Sequence, residues 1–324
     1  MRDTIPGDEL LRKAHAVGQY YGFMPFSALA AEMRGPAKPA LPKSADTSGL
    51  SLDPVAETVA GFLKQCRALG PEPTVRRPLF VWHSNIAPGR KAPKRAIIQF
   101  HAIGTDRAIA DAVVIRALMT LSRDLLRDEP AIRINSMGDK ETRARYAREL
   151  GSFFKKRGDT LPEECVTCAK RDALEAAELV VKNECAEDLP SPTDHLSDAS
   201  RKRFEDLLEY LEETETPYEL ARTLLSRGNA WNETCFELAV DGKRVAWGAR
   251  YGELARHYFS PALPAVGGVF EAASDGAMVP KLVNSRVRFS FVHIGDEAKR
   301  LSLKLAEEFK KAHVPLMQDI GVES

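Results

Sequence analysis

Residues 227–254 read RGNAWNETCFELAVDGKRVAWGARYGEL. Two runs, ETCFELAV and KRVAWGAR, meet at Asp241-Gly242. Asp-Gly accepts the positive φ angles of a two-residue turn, so the stretch predicts an antiparallel hairpin from Glu233 to Tyr251. Upstream, about residues 139–213, KETRARYARELGSFFKKR, RDALEAAELVVKNE and ASRKRFEDLLEYLEE carry apolar residues at helical spacing with a charged opposite face. Earlier still, Phe80 to His83, Ala96 to Ile103 and Ala131 to Asn135 read as strands. Helices are predicted over 8–20, 55–68 and 109–126. The first has Asp8 to cap it and a stripe of Leu10, Leu11, Ala14 and Val17. SNIAPGRKAPKR, between the first two strands, is too basic and Pro-rich for either regular element, and residues 35–49 form a Pro/Gly/Ser-rich loop. Downstream, VRFSFVHIGDEAKRLSLKLAEEFKKAHVPLMQDIG reads as strand, helix and the start of a second strand. The sum is an α+β core with a helical insertion and the opening of an α/β unit.

Composition narrows the function classes. The 324 residues can bury a sizeable core. Lys+Arg and Asp+Glu each count 46, which argues against a dedicated basic nucleic-acid wrapper while allowing a local basic patch. No apolar run approaches the roughly 20 residues that span a bilayer. MRDTIPGDELLRKAH has no apolar signal core, so a cytoplasmic location and no membrane partner are expected. Five cysteines, Cys66, Cys165, Cys168, Cys185 and Cys235, fit reduced thiols. Cys165-x2-Cys168 with Cys185 and His195 has the ligand types of a Cys3His zinc site, but the later spacings are loose. Reduced cysteines in a helical insertion are the expectation, and zinc is not.

Four stretches, in order, resemble the class II histidyl-tRNA synthetase family. Gln99-Phe100-His101-Ala102-Ile103-Gly104 is similar to the QFHQLG that closes its motif 2. INSMGDKETRARYARELGSFFKKRGDTLPEEC, residues 134–165, resembles the opening of its insertion: NSIG, an R-x-x-Y helix, then L-x-E-x-C. RGNAWNETCFE (227–237) and GARYGEL (248–254) resemble the histidine-specific signatures RGLDYYNRTVFE and GGRYDGL. Pro264-Ala265-Val266-Gly267 falls where the motif 3 strand begins. The resemblance covers about residues 50–320. It implies an antiparallel-sheet core over 1–283, a helical insertion at about 138–215, and a partial anticodon-binding-like unit over 284–324.

The resemblance also implies a chemistry: ATP-dependent activation of histidine and its transfer to tRNA, with ATP and Mg2+ as cofactors in an active member. In such an enzyme one arginine from motif 2 and one from motif 3 hold phosphates, a task that suits the planar, always-charged guanidinium. Here the first would fall near Trp82-His83-Ser84 and the second at Ser274, and neither position has arginine. Each lost clamp should cost roughly 3 kcal/mol or more of transition-state stabilisation. Arg90 and Arg95, with Lys91 and Lys94, are open to two readings: replacements that reach phosphate, or a solvated basic loop. With Gln99 they are the ATP- and tRNA-binding candidates.

By the same resemblance Arg227 is the catalytic candidate, and Asp106, Thr58, Arg250 and Tyr251 are the histidine-binding ones. A structural role for Arg250 and Tyr251 is equally open. The family's tyrosine pair is Ala230-Trp231 here, and its glutamine is Ala102. The expected partners are a second copy of the chain in a homodimer, tRNA through the insertion, and histidine. The expected function is a histidine–tRNA ligase-like protein with reduced or lost catalysis. If the chain is complete, the short C-terminal unit would impair tRNA selection. The alternative is a non-catalytic paralogue, either a histidine-sensing regulatory subunit of ATP phosphoribosyltransferase or a dimeric scaffold.

Overall fold

The computed structural model describes residues 4–32, 52–69, 72–86, 94–226, 230–275, 289–292, 295–312, 314 and 316–319. In chain order the elements begin α1 (Gly7–Tyr20), β1 (Met24–Pro25), α2 (Phe26–Glu32), α3 (Pro54–Leu69), β2 (Leu79–Ile86), β3 (Lys94–Ile103), α4 (Ala108–Leu126) and β4 (Ala131–Ser136). The helices α5 (Lys140–Arg157), α6 (Glu163–Ala169), α7 (Ala173–Lys182) and α8 (Asp198–Glu213) follow. Then come β5 (Glu219–Leu220), β6 (Asn232–Val240), β7 (Lys243–Arg250), α9 (Gly252–Ala255) and β8 (Ala265–Ser274). The last are β9 (Phe289–Val292), α10 (Asp296–Lys311) and β10 (Leu316–Asp319).

Eight strands form one sheet in the order β1-β2-β3-β8-β7-β6-β4-β5. Its central pairs are antiparallel, as expected, but both outermost pairs, β1 with β2 and β4 with β5, are parallel. The predicted hairpin is β6–β7, and Asp241 and Gly242 both take positive φ at its turn. Ser84 to Ile86 and Lys94–Arg95, read as irregular, extend β2 and β3: Ser84↔Ile98 through Ile86↔Ala96 continue the β2–β3 ladder, and Lys94↔Ser274 and Arg95↔Ala273 pair with β8. Ladder hydrogen bonds outweigh the local basic and polar composition there. Strands β9 and β10 form a separate parallel pair.

Alternation along β3 sends Ala96, Ile98, Phe100 and Ala102 to one face and Ile97, Gln99, His101 and Ile103 to the other. The first face packs on α1, α4 and α8. Helix α4 is buried along nearly all its length, its apolar residues in the core and its polar Asp111 and Arg116 buried with them. The second face packs on α3, α9 and the helices α5, α6 and α7. Close strand packing demands glycine at Gly267: a Cβ there would collide with the His101 ring and the Phe100 carbonyl.

Candidate ligand site on the second sheet face

Three polar side chains lie in a row on this face, buried among aromatic rings. Gln99 and His101, two residues apart on β3, share a face, and Tyr251 reaches them from the end of β7. His101 Nε2 is 3.1 Å from Gln99 Oε1, and its Nδ1 is 2.8 Å from the Tyr251 hydroxyl. The amide oxygen only accepts, so Nε2 carries the proton and Nδ1 accepts from Tyr251. Phe62 of α3 stacks on the imidazole at 4.2 Å, its plane tilted by 3°. Burial, with a smaller contribution from the nearby His83, pushes the His101 pKa down to about 3. Burial also raises the Tyr251 phenol well above its ordinary value. The chain is therefore neutral.

His83 pairs with Gln99 across β2 and β3 and shares this face. Its ring packs against Phe26 at 5.4 Å and Phe62 at 5.7 Å, and burial lowers its pKa. A neutral imidazole among phenyl rings thus occupies the stretch where a phosphate-holding arginine is expected. Sequence reading registered only that no arginine stood there. The alternation Val81–His83 was the available sign that His83 faces the site.

The candidates among the described residues each have a definite place. Arg250 is 3% exposed and clamps α4: its Nε and Nη2 bind the Asp111 carboxylate at 2.5–3.1 Å, and its Nη atoms donate to the carbonyls of Thr105 and Arg107. Those bonds hold the β3–α4 loop and commit the side chain to the fold. Asp106, in that loop, is 69% exposed, its carboxylate 3.9 Å from Arg203 of α8. It faces solvent rather than the buried Gln99–His101–Tyr251 row. The Thr58 hydroxyl donates to the Pro54 carbonyl one turn back, a bond within its own helix. Arg95 makes a two-pronged pair with Glu271 of β8, and that bond raises its pKa. Ser274 is fully buried where Ile5 bridges β8. Arg227 and Arg90 lie outside the described residues.

Cys165 is buried, Cys168 half-buried and Cys185 exposed; Cys165 accepts from Asn183 and Cys185 donates to the Asn183 carbonyl. The His195 ring packs near Tyr146. Among the described residues no group of three His, Cys, Asp or Glu side chains is placed to hold a metal ion.

Two further ties escaped sequence reading. The Trp231 Nε1 donates to Asp53 Oδ2 at 2.9 Å, while Asp53 Oδ1 caps α3 through the amides of Val55 and Ala56. Arg143 of α5 donates to the Trp231 carbonyl at 2.6 Å, joining the inserted helices to the sheet. Asp53-Pro54 ahead of an apolar helical run was a legible cap signal, Pro being favoured at the first helical position.

No family model matches the chain. It is 28% identical over 240 residues to the histidine–tRNA ligase of Geobacillus sp. (strain WCH70), a match covering 69% of this chain and 57% of that one. To the same enzyme of Fervidobacterium nodosum it is 26% identical over 235 residues, covering 67% and 55%. In fold it is similar to the solved apo histidyl-tRNA synthetase of S. aureus, with a TM-score of 0.55 at 18% identity, covering 98% of this chain and 83% of that one. In sequence and in fold the chain resembles the class II histidyl-tRNA synthetases. It spans just over half the length of the curated relatives it matches. The sheet carries the Gln99–His101 strand and the Arg250–Tyr251 turn on either side of β8. Triphosphate would need cations aimed at its oxygens. At the motif positions among the described residues stand neutral His83 and an arginine already paired with Glu271 on this face, and buried Ser274 on the opposite face, which do not fit that group. No helix among the described residues is long and apolar enough to cross a membrane.

Proposed function

We propose that this chain is a histidine–tRNA ligase-like protein whose histidine-dependent activation by ATP is reduced or lost. The observation that carries the reading is His83, a neutral ring between Phe26 and Phe62 where an active relative would present a permanent positive charge. Arg95 supports it: recruiting that guanidinium to phosphate would break a two-pronged carboxylate bond. The resemblance further supports a cytoplasmic homodimer, with the helices of 138–215 directed to tRNA and residues 284–324 as a reduced anticodon-binding-like unit. ATP with Mg2+ belongs to this reading only as a ligand that cations outside the described residues would have to hold.

Histidine-dependent ATP–pyrophosphate exchange tests the proposal. Purified protein is expected to show exchange that is absent or far below an ordinary synthetase's at saturating histidine and ATP. Exchange at a rate ordinary for a synthetase overturns it. Calorimetric titration with histidine, run in parallel, reads whether amino-acid binding outlasts activation.

A further inference from the structure

Trp231 occupies a place whose walls hold themselves up without it. Its ring is 1% exposed. On one side the Asp53 carboxylate is fixed by capping α3 through its other oxygen, which leaves Oδ2 aimed at the indole N–H. On another, Trp247 is set by β7's pairing with β6 and β8, its ring 4.7 Å from the indole and inclined by 66°. On a third, Tyr251 is fixed by His101 through its hydroxyl and by the Ala265 carbonyl through its amide, with its ring 6.4 Å away and nearly perpendicular. Arg143 grips the Trp231 carbonyl and so holds the ring's own backbone in place. A core tryptophan ordinarily shares its packing with its neighbours, so its removal lets them collapse. Here each wall has an independent anchor.

We propose that these walls form a preformed socket for a planar aromatic ring bearing an N–H, and that Trp231 fills it from within the chain. The socket selects by shape through Trp247 and Tyr251 and by hydrogen bonding through Asp53. It lies beside the Gln99–His101–Tyr251 row, on the face where the proposed function would place amino-acid recognition, and the inference rests on that reading in this one respect. With Trp231 in residence, an external heterocyclic side chain finds the carboxylate already bonded.

Trp231→Ala vacates on the order of 150 Å³, a size of apolar cavity that admits a small aromatic. Millimolar indole is expected to raise the melting temperature of Trp231→Ala by several degrees and to leave the parent protein unmoved. Benzofuran, of the same shape without the N–H, is expected to do much less, and Asp53→Asn in the Trp231→Ala background to remove the difference between the two. Imidazole serves as the smaller N–H probe and is expected to stabilise less than indole, since it fills less of the space. No shift with indole in a folded Trp231→Ala, or equal shifts with benzofuran, overturns the proposal. If Trp231→Ala does not fold alone, indole present during refolding is expected to restore folded protein, and failure to do so counts against the socket. Pyrophosphate exchange by the parent protein bears on activation alone and indole binding by the variant on the socket alone, so the two readings fail separately.

Discussion

His101 is a buried neutral imidazole whose two nitrogens are both in use, and that state has a consequence for stability. Its folded pKa, about 3, lies far below the ordinary value of 6.5. Between those values the unfolded chain binds a proton that the folded chain refuses. The contribution is therefore fully present above pH 6.5 and is lost as pH falls toward 3, at on the order of 1 kcal/mol for each pH unit. Urea unfolding from pH 7 to 4 is expected to show this fall in the parent protein. His101→Gln, with no proton to take up, is expected to show a shallower one, and parallel slopes would remove His101 as its source. The same residues mark the limit of sequence reading. GARYGEL singled out Arg250 and Tyr251, as histidine-binding or structural residues. Nothing local to that motif revealed that Arg250 would meet Asp111, 139 residues away, or that Tyr251 would meet a histidine 150 residues away.

Helices were readable wherever one face repeated at helical spacing, because that period alone dictates which side is buried. α1, α3 and α4 match their expected spans to within two residues. The two-residue edge strands β1 and β5 had no period to read and exist only because a neighbour offers parallel bonds. The helices between β4 and β6 are fastened at their start by Asp139. Its Oδ1 accepts from the Thr142 amide and hydroxyl, and its Oδ2 from Ser197, whose own hydroxyl caps α8. Partial burial acts to raise its pKa, but these bonds outweigh burial and leave it lowered. One carboxylate thus starts α5 and steadies the start of α8. Asp139→Ala is expected to cost about 2 kcal/mol, the upper end for a lost cap, because two helices lose a partner. Chemical denaturation gives the number, and a loss below about half a kcal/mol would mean the serine and threonine hydroxyls hold the junction without it.

At the scale of the molecule, the fold is similar to that of a solved histidyl-tRNA synthetase, while on the reading proposed above the positions of both phosphate-holding arginines, His83 on one sheet face and Ser274 on the other, differ together from an active member. That joint change makes a single-residue reversal ineffective. His83→Arg would place a guanidinium between Phe26 and Phe62, and Ser274→Arg would place one at a fully buried position beside Ile5. A buried charge without a partner costs several kcal/mol. The melting temperature of Ser274→Arg is therefore expected to fall by roughly 5 °C or more, and that of His83→Arg, at a half-buried position, by less. Neither variant, nor the two combined, is expected to bring histidine-dependent exchange above background, since Trp231 still holds Asp53 and Arg95 still holds Glu271. Exchange appearing in the double variant would locate the loss in the two arginines alone. Its absence in a folded double variant would place the loss in the packing of the whole face, where Trp231 and Asp53 are the next residues to change.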